Sequence, residues 1–318
     1  MSAAKRNCGF TSHSLTDRAS ARSASESGGE VRQEFAFVTP SFPPDRERCA
    51  LLVESLDRCC PEAEHYLIID RYDMPYFRGL ASSRTKLIQS EEVIEDWLHR
   101  FPTRHGYWWS LKTWPVRGWI MQQIRKIAVA NVLTVPNIVY CDSDMAFIRP
   151  FGLENLMVDG QLGLIDVPYQ DENVRRWTKD ARLLLGIQES RGDVRGHVGQ
   201  MIVWRRENVL KMQARIEATH GMSWQQAIAR RTTISEYVLY GVYVREFIGY
   251  EPSGHKPSQV PLVKTSWDMD ITTSSGLDAF FTEFDPRTIA IMAHSKDPID
   301  QVHLRRLVEA QWVQSGVL

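Results

Sequence analysis

Two aspartates separated by one residue, Asp142 and Asp144, follow the apolar segment Ile138–Cys141. Alternate side chains of an extended strand point to the same face, so we expect both carboxylates on one face and Ser143 on the other. Hard oxygen ligands at a strand end suit Mg²⁺ or Mn²⁺, which proteins often bind together with substrate phosphates. Aspartate and serine are also common in turns, so a plain turn is the alternative interpretation.

Apolar segments that alternate with a helical pattern indicate how the aspartates are positioned. Short apolar runs cover Glu34–Pro40 and His65–Asp70, and Arg46–Cys60 between them has helical spacing. A further short strand is expected over Thr85–Gln89. The order strand, helix, strand predicts a parallel sheet with a right-handed crossover. We therefore expect one α/β domain over residues 34–318, with a Rossmann-type mixed sheet flanked by helices.

A helix is expected immediately before the aspartates, from about Val116 to Asn131. Apolar residues at helical spacing define its buried face: Ile120, Ile124, Ile127 and Ala128. Three polar residues lie largely off this stripe and are expected on the solvated side unless they meet a ligand: Gln122, Gln123 and Lys126.

The second half of the chain alternates less regularly. A helix is expected to begin at Ser223, which has capping-box spacing with Gln226, and another at Ser235. Gly196 and Gly199 lie in a loop, where they either allow a turn with positive φ or let the backbone approach a sugar closely. Strands are expected at residues 163–167, 201–204 and 289–293.

Several polar residues follow directly after these apolar strands. Ligands of open α/β sheets bind beyond the carboxyl ends of the strands, so we expect these residues to share one rim. We expect Asp144 and Asp142 to hold a cation, with His294 as a further ligand. This cation, together with a lysine that contacts the diphosphate, would neutralise a nucleoside diphosphate leaving group. The residues expected to contact such a donor are Thr39, Pro40, Ser41, Asp70, Gln122, Lys126, Asp142, Ser143, Gly199 and Lys296.

Three of these residues have plain structural alternatives. Asp70 could cap a turn rather than bind a nucleotide base or ribose. His294 could be a hydrogen-bonded histidine at a strand end, and Lys126 could lie on a solvated helix face.

Composition and charge narrow the class of protein. The net charge of -1 gives no electrostatic reason to expect nucleic acid. No apolar stretch approaches the ~20 residues of a membrane span. The five cysteines are an odd number without zinc-site spacing, which indicates reduced thiols. We therefore expect a cytoplasmic protein, which either stays in solution or associates with the inner membrane as a peripheral protein. Residues 1–33 are rich in Ser, Ala, Gly and Arg and are expected to be a disordered tail.

Three segments in order resemble a bacterial family regarded as GT-A glycosyltransferases and mostly catalogued as a domain of unknown function. They are Gly118–Ile127, Tyr140–Asp144 with Phe147–Pro150, and Ser235–Gly241. The resemblance covers roughly Phe35 to Ile299 and implies a GT-A fold, a nucleotide-sugar donor and a metal at the two aspartates. Cys141 departs from the family, in which an apolar residue is more usual before the first aspartate.

We therefore expect a metal-dependent glycosyltransferase that moves a sugar from a UDP- or GDP-linked donor to an acceptor hydroxyl. The acceptor is an unknown glycan, lipid or small molecule, and the resemblance suggests surface polysaccharide synthesis. An inverting enzyme needs a carboxylate base, for which Glu236 is the candidate. Capping its own helix is the alternative role of Glu236.

Other classes fit the sequence less well. Phosphohydrolases that use an Asp-x-Asp pair carry it after the first strand, whereas here it lies in the middle of the chain. Nucleotidyltransferases of this fold need a Gly-rich basic loop after the first strand, and Thr39–Asp45 is neither Gly-rich nor basic. A non-catalytic protein that binds nucleotide sugars stays open, because metal binding does not require turnover.

Overall fold

The computed structural model describes residues 34–101, 106–169, 171–188 and 193–318. The described residues belong to one compact unit, Gln33–Leu318. The tail predicted over residues 1–33 lies outside the described residues. Within the described ranges, none of the helices combines the length and the apolar character that crossing a bilayer requires.

The helices differ widely in length. A short π-helical segment, Tyr243–Ile248, directly continues the eighth of them. In chain order they are α1 (Arg46–Cys59), α2 (Met74–Phe77), α3 (Ser90–Val93), α4 (Gly118–Ala128), α5 (Glu172–Leu185), α6 (Arg206–His220), α7 (Trp224–Ala229), α8 (Glu236–Val242), α9 (Tyr250–Ser253), α10 (Ser274–Phe280) and α11 (Gln301–Gln314).

The strands are short. They are β1 (Phe35–Pro40), β2 (Glu64–Ile69), β3 (Thr85–Gln89), β4 (His99–Arg100), β5 (Tyr107–Trp109), β6 (Val116–Arg117), β7 (Asn137–Cys141), β8 (Met145–Phe147), β9 (Met157–Val158), β10 (Gln161–Ile165), β11 (Val167–Pro168), β12 (Arg195–Gly196), β13 (Met201–Arg205), β14 (His255–Ser258), β15 (Val263–Thr265) and β16 (Ala290–Met292).

The central sheet has five strands in the order β13-β7-β1-β2-β3. β1 pairs in parallel with β2 and β7, and β2 pairs in parallel with β3. β13 runs antiparallel to β7, with Met201 opposite Cys141. The carboxyl ends of four strands and the beginning of β13 therefore meet at one edge. The predicted α/β fold with a mixed sheet flanked by helices is confirmed.

Both faces of this sheet are buried, as expected for a sheet with helices on each side. Alternate residues of β1 enter different cores. Ala36 and Val38 pack into a core that α4 and α6–α8 complete, while Phe35 and Phe37 pack into a core that includes α1 and α11. This continuous burial explains why β1 and β7 have apolar sequences without a polar alternation.

A second sheet supplies the other side of the site. β8 follows β7 after a short turn and pairs with β16, which pairs with β15. His294 and Lys296 follow β16, so they do not belong to the rim of the central sheet as predicted. They nevertheless lie at the cavity beside Asp142 and Asp144, because β16 pairs with β8 and β8 begins directly after the turn that ends β7.

Helix α5 was not predicted. Its sequence is rich in charged residues, although its apolar residues do recur at helical spacing. The Asp171 side chain accepts a hydrogen bond from the Asn173 N–H at its beginning, and Gly186, with φ 65°, ends it in the left-handed conformation.

Buried histidines make the stability of this fold sensitive to acid. His65 is buried with Nε2 2.9 Å from the Thr39 hydroxyl, and burial lowers its pKa to about 3. The folded state therefore disfavours the charged ring. The contribution of His65 to the free energy of unfolding is fully present above the pKa of histidine in the unfolded chain, near 6.5, and is lost as the pH drops below it.

We expect His65→Gln to flatten this dependence. Between pH 7 and pH 5 the variant should lose about 2 kcal/mol less free energy of unfolding than the wild type in urea titrations. His99→Gln, which removes an exposed histidine, is the matched control. Equal pH dependence in wild type and His65→Gln would contradict the burial of a neutral ring.

Candidate active site

A cavity of about 1080 Å³ opens at the carboxyl edge of the central sheet. The loops after β1, β2, β7 and β16 and the loop before β13 contribute to its walls. The structure brings together most of the residues singled out from the sequence. Those that line the cavity are Pro40, Ser41, Asp70, Gln122, Asp142, Ser143, Asp144, Gly199, His294 and Lys296.

The two aspartates occupy a turn rather than an extended strand. β7 ends at Cys141 and β8 begins at Met145, whose N–H donates to the Asp142 carbonyl at 3.3 Å. The prediction that Ser143 faces away from the aspartates was wrong, because alternation applies only to extended backbone. Ser143 also lines the cavity, and its hydroxyl donates to Asp45 Oδ2 at 3.2 Å.

Asp144 carries the least satisfied carboxylate oxygen of the site. Its Oδ2 accepts from the Ser295 N–H at 2.9 Å, while its buried Oδ1 has no hydrogen-bond partner. Burial and the neighbouring charge of Asp142 raise the pKa of Asp144 to about 7. An orphaned carboxylate oxygen beside a second carboxylate is the environment that a bound cation would stabilise.

Asp45 is a further carboxylate of the cavity wall, beside Asp142 and Asp144, that the sequence did not predict. Burial raises its pKa, against the hydrogen bond from Ser143, and the charge of Asp142 adds to the increase. The signal was available, because Asp45 follows β1 after Pro43 and Pro44 and therefore obeys the same strand-end rule as the predicted residues.

Lys126 is buried inside the site, with 2% of its side chain exposed. Its ammonium lies 2.9 Å from Asp142 Oδ1, 2.7 Å from the Tyr237 hydroxyl and 3.1 Å from Glu236 Oε1. Burial lowers the pKa of Lys126, but Asp142, Tyr237 and Glu236 outweigh it and hold the pKa well above its ordinary value.

Two sequence predictions for helix α4 need correction. Lys126 and Gln123 are buried and not on a solvated face, since an ion pair can bury polar residues that a hydrophobic stripe does not predict. Lys126 is also not free to meet a diphosphate, because three groups already surround its ammonium. Lys296, in contrast, lines the cavity.

The same contacts connect the three segments that carried the family resemblance. Gln123 accepts a hydrogen bond from the Glu236 N–H at 3.0 Å, and Lys126 joins Glu236 to Asp142. Glu236 is almost fully buried, and burial raises its pKa while Lys126 opposes the rise. It lines a recess of about 140 Å³ that also includes Asp142 and Gln122, which line the main cavity as well.

Asp70 also lines the cavity, but its carboxylate is already bound by several protein groups. Its Oδ1 accepts from the Ser90 hydroxyl at 2.7 Å and lies 2.5 Å from Arg125 Nη2. Its Oδ2 lies 3.4 Å from Arg100, which also contacts Asp73 at 2.9 Å. These contacts assign to Asp70 the role of holding two arginines at the cavity wall, which the sequence did not predict.

Thr39, like Lys126, is a predicted donor residue that does not line the main cavity. Its hydroxyl is buried between His65 Nε2 at 2.9 Å and Cys141 Sγ at 3.1 Å. The side chain therefore packs beside neighbouring strands, and the chain first reaches the cavity at Pro40.

The loop that carries His294 is held by Arg48 of α1. The guanidinium donates to the carbonyls of Ala293, His294 and Asp297 at 2.5 to 2.7 Å. The His294 ring packs on Trp267, with ring centroids 4.3 Å apart. Among the residues that the structure describes, no three His, Cys, Asp or Glu side chains converge as metal ligands, so the predicted set of Asp142, Asp144 and His294 is not preassembled.

The two glycines before β13 are required by close packing and not by an unusual backbone conformation. Neither Gly196 nor Gly199 has positive φ. A Cβ on Gly199 would lie 2.2 Å from Ile165 Cδ1, and one on Gly196 would lie 3.1 Å from Val167. The loop is therefore packed closely against β10 and β11, with Gly199 at the cavity wall.

Gly241 of α8 packs against the ring of His197, which lies in the loop before β13, and this contact leaves no room for a side chain at position 241. A Cβ there would lie 2.1 Å from His197 Cγ, and His197 is buried with Nδ1 2.7 Å from the Ile165 carbonyl. We expect Gly241→Ala to reduce the free energy of unfolding by about 1–3 kcal/mol, because a rigid ring cannot move aside without cost. Urea titration would measure this loss.

Gly79→Ala is the matched control, since the nearest atom to a Cβ there is 4.0 Å away. Gly241→Ala should cost less free energy of unfolding in a His197→Ala background than in the wild type, because the ring that it meets is then absent. Equal effects of Gly241→Ala and Gly79→Ala would contradict the close contact with His197.

Fold and site together define an α/β protein with an acidic cavity at the carboxyl edge of a mostly parallel sheet. The chain belongs to a family of unknown function, DUF6492, whose sequence profile matches residues 41–255. No curated protein sequence matches it.

Several solved structures are similar to the chain at low identity. Galactosyltransferase LgtC, in complex with donor and acceptor sugar analogues, shares 12% identity with a TM-score of 0.46, over 89% of this chain and 100% of that one. Mouse xyloside xylosyltransferase 1 in its apo form shares 11% with a TM-score of 0.45, over 84% of this chain and 99% of that one. The apo glycosyltransferase GlyE of Streptococcus pneumoniae TIGR4 shares 10% with a TM-score of 0.44, over 89% of this chain and 64% of that one. These scores are too low to carry an argument about function, which rests on the site.

Proposed function

We propose that this protein is a divalent-metal-dependent glycosyltransferase that uses a nucleoside-diphosphate sugar. The observation that carries the proposal is the buried, unpartnered Oδ1 of Asp144 beside Asp142, at the wall of a cavity at the carboxyl edge of the sheet. Ligands of open α/β sheets bind at this edge. The cavity volume is slightly above the usual range for small-molecule sites, which suits a bulky ligand such as a nucleotide sugar.

Asp144 and the free oxygen of Asp142 are the groups that would hold Mn²⁺ or Mg²⁺. Two protein carboxylates are sufficient for such an ion when substrate phosphates and water supply its remaining ligands, so a preassembled set of three is not required. The bound ion would supply positive charge to the diphosphate leaving group. Asp142 fits a shared role, because Lys126 occupies only its Oδ1.

The remaining polar groups suit the donor. The Lys296 ammonium at the cavity wall is the proposed partner of the diphosphate, in place of the buried Lys126. His294 is proposed as a neighbouring group that could reach the diphosphate or the ion through a change of its ring position. Pro40, Ser41, Gln122, Ser143 and Gly199 contribute the surface against which the donor would pack.

Glu236 has two proposed roles, one of which its surroundings favour. As a general base it would have to be ionised near the acceptor hydroxyl, and it lines the recess beside the main cavity. Its carboxylate is, however, buried and 3.1 Å from Lys126. We therefore assign it the positioning of Lys126, and through Lys126 the positioning of Asp142.

The binding test is calorimetry with UDP and with GDP, each with Mn²⁺ and with EDTA. We expect one of the nucleotides to bind in the presence of Mn²⁺ and to lose most of its affinity in EDTA. Equal affinity in EDTA would remove the metal role from Asp142 and Asp144.

A non-catalytic nucleotide-sugar-binding protein is the second candidate, because the same contacts would bind a donor without transfer. Metal-dependent binding without turnover of any donor would favour it. A place in surface polysaccharide synthesis is supported by the sequence resemblance alone.

A further inference from the structure

The hairpin formed by β5, β6 and their connecting loop carries an unusual apolar surface. Leu111 is 97% exposed and Trp114 is 87% exposed, the two highest values among large apolar side chains of the described residues. Both lie on the same loop, three positions apart. Exposed apolar surface of this kind commonly marks a site of interaction.

The charge of this hairpin is as distinctive as its apolar surface. Its residues, 107–117, contain three of the ten tryptophans of the chain and no Asp or Glu. Lys112 at the tip and Arg117, which lies opposite Tyr107 at the base of the hairpin, are both exposed. Tryptophan and basic residues together are the side chains favoured at the boundary between lipid and water, where cations meet anionic head groups.

The hairpin is fixed to the body of the protein next to the cavity. Trp108 is buried beneath it, with the Arg125 guanidinium 5.0 Å from its ring centroid. Trp108 lines the cavity, together with Gly106, Gly118 and Trp119, which flank the hairpin. The exposed tip therefore belongs to the same structural element as one wall of the cavity.

We propose that the hairpin docks the protein on an anionic lipid surface. Leu111 and Trp114 enter the interfacial region while Lys112 and Arg117 contact the phosphates of the head groups. The absence of acidic residues from the hairpin favours anionic lipid as the partner, because the head groups would repel a carboxylate there. If the proposed function holds, the cavity works at a membrane surface, and its acceptor is a hydroxyl carried on or near the lipid.

The test is flotation of the full chain with vesicles of phosphatidylcholine alone and with vesicles that also contain phosphatidylglycerol. We expect binding to the anionic vesicles. Leu111→Ser with Trp114→Ser should weaken it about 100-fold, since each side chain loses most of its transfer free energy. Lys112→Gln with Arg117→Gln should weaken it about 30-fold, and high salt should do the same to the wild type.

The control variant is Val302→Ser with Val313→Ser, which removes two exposed valines of α11, 60% and 62% exposed, and should bind like the wild type. Absence of wild-type binding to either vesicle would overturn the proposal, as would binding that the hairpin substitutions leave unchanged. Self-association that the Leu111 and Trp114 substitutions abolish, without vesicle binding, would identify the tip as an interface between copies. None of these results depends on glycosyl transfer.

Discussion

Asp144→Asn is expected to abolish the metal-dependent binding of nucleoside diphosphate while the protein stays folded. The amide keeps the shape of the side chain but loses the charge that Oδ1 would offer to the ion. Changes in the surroundings of metal ligands typically cost 10- to 100-fold in affinity, so the loss of a ligand should cost at least about 100-fold. Calorimetry with the nucleotide and Mn²⁺ measures it.

The stability of the metal-free variant separates a binding role from a structural one. Burial and the charge of Asp142 raise the pKa of Asp144 to about 7. Its ionised carboxylate is therefore less stable in the folded protein than in the unfolded chain, and ionisation reduces the free energy of unfolding as the pH rises. Asp144→Asn should therefore melt at the same temperature as the wild type or higher. Asp96→Asn, at an exposed position, is the control for the substitution itself. A large fall in melting temperature with metal binding retained would contradict the assignment.

Lys126→Met is expected to reduce the free energy of unfolding by about 3–5 kcal/mol, because it leaves the buried carboxylate of Glu236 without a partner. Asp142 would lose its hydrogen bond at the same time. Urea titration at pH 7 measures the change. A loss below about 1 kcal/mol would contradict the role of Lys126 as the buried counter-ion.

The double variant Lys126→Met with Glu236→Gln is the control for that interpretation. Removing both charges should be less harmful than removing Lys126 alone, because no buried carboxylate is then left unpaired at position 236. If the two substitutions were simply additive, the contact between Lys126 and Glu236 would not be the cause of the loss.

Glu236→Gln alone distinguishes positioning from general-base catalysis. If Glu236 positions Lys126, the variant should bind Mn²⁺ and nucleotide more weakly, because Lys126 would then be held less firmly beside Asp142. A general base predicts unchanged binding and a loss of sugar transfer of about 10² to 10⁴-fold. The calorimetric and kinetic measurements on one variant therefore give opposite results for the two roles.

The sequence predicted β1 and β7 well because they are buried on both faces. Their apolar runs end at Pro40 and Cys141, and the strands end there in the structure. Once these strands are parallel, the strand-end rule brings Ser41, Asp142 and their neighbours to one edge without further information.

The parts that were missed depend on contacts between distant residues. A hydrophobic stripe cannot show that Lys126 is buried by Glu236, which lies 110 positions further along the chain. Nor can it show that Thr39 turns toward His65 rather than toward the cavity. The second sheet was missed because pairing of β8 with β16 joins segments whose own patterns are too short to indicate a partner.

Donor turnover tests the central claim most directly. The protein would be incubated with a panel of UDP- and GDP-linked sugars in Mn²⁺, and released nucleoside diphosphate would be measured with and without EDTA. We predict release from at least one donor that EDTA abolishes and that Asp144→Asn lacks. Release that is equal in EDTA, or metal-dependent nucleotide binding without release from any donor, would contradict a metal-dependent glycosyltransferase.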